Sequence, residues 1–171
     1  MRKIEIVPHD PAWADLATTE AAQIMRTLGA SILAIHHIGS TAIPGIMAKP
    51  TLDLLAEVPN LDEIDELNPR MEALGYAPRG ENGIPGRRYF IKLAGETHFC
   101  HIHMFLTGNQ EIIRHINFRD YLIAHPAEAE AYSRLKAALA AQFPYDSVSY
   151  TDGKEQFIRE IDRKANRWRS S

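Results

Sequence analysis

A single α+β domain, with a mixed, largely antiparallel sheet flanked by helices, is the fold class that this chain of 171 residues predicts. Three features predict it. Two apolar strand-like runs flank a glycine-serine turn, Ile35-His36-His37-Ile38-Gly39-Ser40 and then Leu52-Asp53-Leu54-Leu55. A second pair, Arg87–Leu93 and Thr97–Leu106, is joined by the turn Ala94-Gly95-Glu96 and reads as a hairpin. From Asn109 onward the spacing of apolar residues is helical. With 45% hydrophobic residues the chain can bury one sizeable core, and its length asks for one domain, residues 1–171.

The elements follow in order. Lys3–Val7 alternates and is expected to form a short strand closed by Pro8. Asp10-Pro11 supplies an N-cap and a first-turn proline, so a helix opens there. Trp13, Leu16, Ala17, Ala21, Ile24 and Leu28 then recur at three- and four-residue spacing until Gly29. This stripe is expected to pack on the sheet, with Trp13 in the core rather than stacked on a base. Leu61 to Leu74 repeats the helical spacing, broken near Asn68 because Pro69 removes a backbone donor. Asp62, Glu63, Asp65 and Glu66 fit the polar side of that helix, where the macrodipole favours acids, better than a metal site. Tyr76 to Pro85, rich in glycine, proline and polar residues, reads as a mobile loop suited to act as a lid. Helices are expected over Ile112–Ala124, Pro126–Gln142 and Gly153–Trp168, the last with Phe157, Ile161, Ala165 and Trp168 in one stripe.

Composition excludes some functions. A formal charge of −3 gives no overall positive field, which argues against wrapping of long nucleic acid but leaves room for one nucleotide on a local cluster. Arg163, Lys164, Arg167 and Arg169 read as a solvated helix end. Cys100 is the only cysteine, so no internal disulfide forms, which suits a reducing compartment. Met1-Arg2-Lys3-Ile4-Glu5 lacks the apolar run of a secretory signal, and no later run is long enough to span a bilayer. A soluble, cytoplasmic protein is expected.

The residues that could carry chemistry cluster around the first strand pair. Gly39 permits a close backbone approach, and Ser40 and Thr41 then offer hydroxyls and N–H groups suited to an anion. Ser40 could instead act as a nucleophile with His37 as base, but no third orienting group is evident, and anion binding is preferred. Lys49, beside Pro50, could meet a phosphate oxygen or simply face solvent. Asp53 stands in an apolar strand, on one face with Thr51, where a carboxylate needs a cation or donors. On the run Thr97–Leu106, alternation puts His101 and His103 on one face with Phe99 and Phe105, about 7 Å apart at their bases, and sends His98 elsewhere. The pair either shares a ligand or consists of core-edge histidines with ordinary partners. Arg87 and Arg88 point oppositely, so one can face the site, and Arg88 is assigned that role. Arg119 reads as a partner for Asp120 rather than a phosphate fork, and Lys154 could reach a phosphate or merely sit near a helix cap.

The run His37-Ile38-Gly39-Ser40-Thr41-Ala42-Ile43-Pro44-Gly45, with Lys49-Pro50 and Asp53, resembles the GrpB family. The likeness continues through His101-Ile102-His103, Phe118-Arg119-Asp120-Tyr121-Leu122, His125-Pro126, Tyr132 with Leu135-Lys136, and Tyr150 with Lys154. The resemblance implies a nucleotidyltransferase-like fold. That fold normally places two acids one residue apart on the strand after its Gly-Ser turn, and a third on a neighbouring strand, to hold two divalent ions. Here Thr51 takes the first position, Asp53 the second, and His101 or His103 the third, so two of the three carboxylates are absent. The implied alternative is one divalent ion held by Asp53, His101 and His103: magnesium or, given the imidazoles, zinc, manganese or iron. The implied partner is a nucleotide, such as a nucleoside triphosphate, or another phosphorylated small molecule, with no membrane partner. Gly39, Ser40 and Thr41 would cradle it, Lys49, Arg88 and Lys154 would offset its charge, and Asp53 and Ser40 would stand at the reaction. Metal-dependent nucleotidyl transfer is the expected chemistry. The rivals are a non-catalytic nucleotide- or metal-binding regulatory module, since some relatives look fused to dephospho-coenzyme A kinase, and a metal-dependent hydrolase using Asp53, His101 and His103.

Overall fold

In the computed structural model, which describes residues 1–171, Asp10 and Pro11 open the first helix as their chemistry requires. The Asp10 carboxylate accepts from the Ala12 N–H at 2.9 Å, and α1 spans Ala12–Leu28. The remaining elements are β1 (Ala34–Ile38), β2 (Leu52–Val58), α2 (Leu61–Glu66), α3 (Asn68–Ala73), β3 (Tyr76–Pro78), β4 (Arg87–Ala94), β5 (Thr97–Leu106), α4 (Gln110–Ala124), α5 (Pro126–Gln142) and α6 (Ser147–Ser170). The helical break expected near Asn68 falls between α2 and α3.

The five strands lie in the order β1-β2-β5-β4-β3. β1–β2, β5–β4 and β4–β3 pair antiparallel and β2–β5 pairs parallel, so the sheet is mixed and largely antiparallel as expected. Period-two alternation divides its faces. Leu52, Leu54, Ala56, Cys100, Ile102 and Met104 turn to one side, where Trp13, Ala17, Ile24 and Leu28 of α1 and Ile64 and Met71 of α2 and α3 close the main core. Asp53, His101 and His103 turn to the other side. There Ile38, Leu55 and Phe105 pack on Ile112 of α4, and a second cluster joins Ile43 and Ile46 to α4, α5 and α6. The second face is therefore only partly covered, and the polar residues near Asp53 look into the gap.

Four local expectations are corrected. Lys3–Val7 is not a strand: Val7 forms a single antiparallel bridge with Ala48, and the Ile4 N–H donates to the Pro144 carbonyl at 2.7 Å. Ile4 packs with Leu139 and Tyr150, so the segment is anchored on α5 and α6 rather than on a sheet edge. The last helix starts at Ser147, capped by Asp146, whose carboxylate accepts from the Ser149 N–H at 3.0 Å. Gly153 lies inside that helix, packed so closely on α5 that an added Cβ would stand 2.5 Å from Leu139 Cδ2, and does not mark its start. The segment Tyr76–Pro85 begins with a strand, and the loop after it is tied down by Arg87, which donates to the carbonyls of Glu81 and Asn82 at 3.1 and 2.9 Å.

The fourth correction concerns β5. Its pairing with β4 passes from Lys92↔Cys100 to Leu93↔His98, which leaves Phe99 as the extra residue of a bulge. Phe99 therefore turns with Cys100 toward the main core, and His98 swings onto the His101 side. Strict alternation would have sent both the other way.

Candidate functional site

The parallel β2–β5 register sets Asp53 directly beside His101. Gly39 makes room for the carboxylate. Its φ is +74°, and a Cβ at that position would stand 2.9 Å from Asp53 Oδ2. The turn glycine thus serves the acid as well as the chain reversal. Thr51 joins the same wall, its hydroxyl donating to the His98 carbonyl at 3.2 Å.

Of the two imidazoles, His103 is hydrogen-bonded to Asp53. Arg87, only 7% exposed, donates from Nη1 to His103 Nδ1 at 3.2 Å. A guanidinium has no lone pair to offer, so His103 Nδ1 accepts and its proton sits on Nε2. That N–H donates to Asp53 Oδ1 at 3.3 Å. His101 Nδ1 lies 3.8 Å from the same oxygen, and its Nε2 is 2.7 Å from His98 Nδ1. Burial pushes the Asp53 carboxyl up, but the His103 hydrogen bond and the nearby His103, His101 and His115 rings outweigh it, leaving the acid below the usual carboxylate range. Burial also pulls His101 down to about 4, so its ring is neutral at pH 7.

This arrangement does not fit the expected metal triad. A metal-bound imidazole normally donates its other N–H to a carboxylate or carbonyl, whereas the other nitrogen of His103 faces an arginine donor. No group of three His, Cys, Asp or Glu side chains in the molecule is arranged to hold a metal ion. Asp53 is hydrogen-bonded to His103, and His101, hydrogen-bonded to His98, stands 3.8 Å from the same carboxylate. The choice of Arg88 is corrected too. Arg88 lies on the opposite face of the sheet, bonded to Asp65 of α2 at 2.6 and 3.1 Å, and Arg87 is the arginine on the site side.

Facing Asp53 across a cavity of about 220 Å³ stand lysines from three segments: Lys49 of the β1–β2 connection, Lys136 of α5 and Lys154 of α6, with Ser40 and Thr41 at the turn. The lysine ion pairs of the molecule are Lys92–Glu20, Lys164–Glu128 and Lys164–Glu160, so none of these three has a carboxylate partner. Lys49 and Lys154 lie over the Tyr150 ring at 4.7 and 4.4 Å. Lys136 is 2% exposed and donates to Ser40 Oγ at 2.8 Å and to the Met47 carbonyl at 2.5 Å. Burial without a counter-charge pulls Lys136 down to about 7 and, with Lys49 nearby, Lys154 to about 8. Lys49 is lowered by burial as well, against the opposing pull of Asp53. A second cavity of about 620 Å³ adjoins the first, sharing Lys49, Thr51 and His101, and is bordered by His98, Tyr145 and residues 1–5.

Of the residues singled out from sequence, Ser40, Thr41, Lys49, Asp53, His101 and Lys154 border the first cavity. Gly39 sits behind Asp53 and His103 beneath it. His37 does not serve Ser40: its Nε2 is 2.8 Å from Thr41 Oγ1. Arg119 pairs with Asp120 at 2.8 Å, as expected, and also donates to the His37 carbonyl at 3.0 Å. Lys136 and Tyr150 were not singled out as site residues. Lys136 was detectable, because Ala129, Tyr132, Lys136 and Leu139 form the buried stripe of α5 at spacings of three and four, and a lysine in such a stripe needs a reason. His98 was hidden by the bulge.

An α+β protein whose five-stranded mixed sheet carries a polar cavity, walled by an acid–imidazole cluster and by three unpaired lysines, is the class that fold and site define. The chain belongs to the GrpB family: the family model described as GrpB protein matches residues 3–164. It is 45% identical over 168 residues to the UPF0157 protein YqkA of Bacillus subtilis, covering 98% of this chain and 49% of that one. The chain therefore spans about half the length of this relative. The crystal structure of the conserved protein GrpB from Enterococcus faecalis superposes with a TM-score of 0.93 at 35% identity, covering 98% of this chain and 100% of that one. A Mycobacterium tuberculosis protein named dephospho-CoA kinase is 27% identical over 190 residues, 95% of this chain and 46% of its own length. Cid1, solved with its short product ApU, overlaps at a TM-score of 0.46 and 12% identity over 78% of this chain and 39% of that one. No helix is long and apolar enough to cross a membrane.

Proposed function

We propose that the chain binds a phosphorylated small molecule, its anionic head held by Lys49 and Lys154 with Ser40 and Thr41 in the smaller cavity. One observation carries this reading. Three lysines line a single cavity without a carboxylate partner, and the cost of burying the Lys49 and Lys154 ammonium groups is offset when something negative is bound beside them. The volume of about 220 Å³ suits a phosphate-bearing head group. The adjoining cavity of about 620 Å³ is large enough for the remainder of the ligand.

Nucleotidyl transfer is the finer version of this proposal, and a nucleotide is the ligand it calls for. Asp53 is the only carboxylate bordering the cavity, and it is committed to His103. That observation favours a second reading, a binding module that keeps the pocket without turnover, as would suit a chain similar to part of a protein named dephospho-CoA kinase. A thermal-shift titration with tripolyphosphate, pyrophosphate and nucleoside triphosphates tests the binding claim. Tripolyphosphate should raise Tm in a saturable way. A flat response to all three overturns it, and release of pyrophosphate from a nucleoside triphosphate distinguishes transfer from binding.

A further inference from the structure

We propose that Ser40 and Lys136 form a nucleophilic dyad, in which the Ser40 hydroxyl accepts a phosphoryl-type group from an activated phosphate compound bound in the smaller cavity. The geometry carries it. Lys136 Nζ lies 2.8 Å from Ser40 Oγ and 2.5 Å from the Met47 carbonyl. Lys136 donates to both oxygens as it stands; on losing a proton it keeps the N–H to Met47 and turns its lone pair to the Ser40 hydroxyl proton. A serine needs an adjacent base to attack, and lysine serves as that base in Ser-Lys variants of the serine triad. His37, the other base within sequence reach, is occupied by Thr41.

The surroundings favour the neutral amine. Lys136 is 2% exposed and no acid touches it. The titratable groups facing it are Tyr132 of its own helix, Lys154 and Tyr150 of α6, Lys49 of the β1–β2 connection, Asp53 of β2 and His101 of β5. Burial, reinforced by Lys154, draws its pKa to about 7, which brings the free base within reach at neutral pH. In the step itself the Oγ–P bond forms as the bond from phosphorus to the leaving oxygen breaks. The electron pair departs on that oxygen, beside Lys49 and Lys154, and the hydroxyl proton ends on Lys136. The resulting ammonium then adjoins the new phosphoester.

This inference concerns the same cavity and rests on the phosphate-binding reading for its natural substrate, but its test does not. The full chain is incubated with a neutral fluorophosphonate, which needs no anion site, and adducts are followed by intact-mass and peptide-mapping spectrometry. One adduct per chain should form on Ser40 as fluoride leaves, and Ser40→Ala should abolish it. Lys136→Arg, which keeps a cation but offers no free base at these pH values, should slow labelling by about 10²-fold or more. Should that variant fail to fold, the wild-type labelling rate supplies the same information: it should climb between about pH 6 and 8 and then level off. No adduct on Ser40, or a flat pH profile, overturns the dyad and leaves Lys136 as a tie between α5 and the turn. Tripolyphosphate should protect Ser40. Labelling that persists undiminished in its presence counts against the phosphate reading and not against the dyad.

Discussion

Lys154→Met separates a lysine kept for a ligand from one kept for the fold. An ammonium whose pKa is drawn from 10.5 to about 8 carries a cost of about 3 kcal/mol at pH 7, reduced to about 2 because part of the side chain reaches solvent. Methionine fills a similar volume without the charge. Loss of the contact with Tyr150, at 4.4 Å, gives back about 0.5–1 kcal/mol. The variant should therefore be more stable by about 1–2 kcal/mol, roughly 2–8 °C in Tm for a chain of this size. Binding should move the other way. A charged hydrogen bond to phosphate is worth about 1.5–3 kcal/mol, so tripolyphosphate affinity should fall about 10- to 150-fold. Denaturation in urea and titration calorimetry, both at pH 7, measure the two quantities. A variant that melts lower and binds as before would refute the reasoning, because Lys154 would then be a packing residue.

Gly39→Ala should cost about 2 kcal/mol or more in urea denaturation, from a φ of +74° and a Cβ forced to 2.9 Å from Asp53 Oδ2; an unchanged midpoint contradicts the close approach. Asp53→Asn keeps an acceptor for His103 but removes the one negative charge at the cavity, so tripolyphosphate should bind about 3- to 10-fold tighter. Weaker binding that depends on added magnesium, manganese or zinc would restore the metal reading. The lysines also give stability a pH dependence. Their protonated forms are disfavoured in the fold, so the penalty is full below about pH 8 for Lys154 and about pH 7 for Lys136, and fades as pH rises toward 10.5. The stability gap between Lys154→Met and wild type should shrink over pH 8 to 10.5, and a constant gap would speak against a buried ammonium.

Much of this molecule was legible in its sequence, for reasons that lie in local chemistry. The break at Pro69, the β4–β5 hairpin and the helix Pro126–Gln142 each follow from spacing or from one proline and stand where expected, as does the α1 stripe except for Leu16, which is exposed while Glu20 is buried. Period-two geometry put Asp53 on one face with Thr51 and His101 on one face with His103, and the parallel β2–β5 register, which sequence does not give, then set Asp53 beside His101. Where that rigidity is interrupted, reading failed. One extra residue at Phe99 exchanged the sides of Phe99 and His98. Arg87 and Arg88 could not be told apart, since their direction depends on how β4 pairs with β5, which brings Arg87 opposite Phe105. Lys136 was passed over because helical lysines usually face water, and only the tertiary meeting of α5 with the Ser40 turn gives it a partner.

Titration of tripolyphosphate into the wild-type chain at pH 8.5, in two buffers of different ionisation enthalpy, asks most directly whether a ligand supplies the charge these lysines lack. Lys154 is largely neutral there in the free protein, and an anion beside it returns its pKa toward 10.5. Binding should take up a sizeable fraction of one proton per chain, an uptake that disappears in Lys154→Met. Heats that are identical in both buffers, or no heat at all, would contradict an anion site built on unpaired lysines.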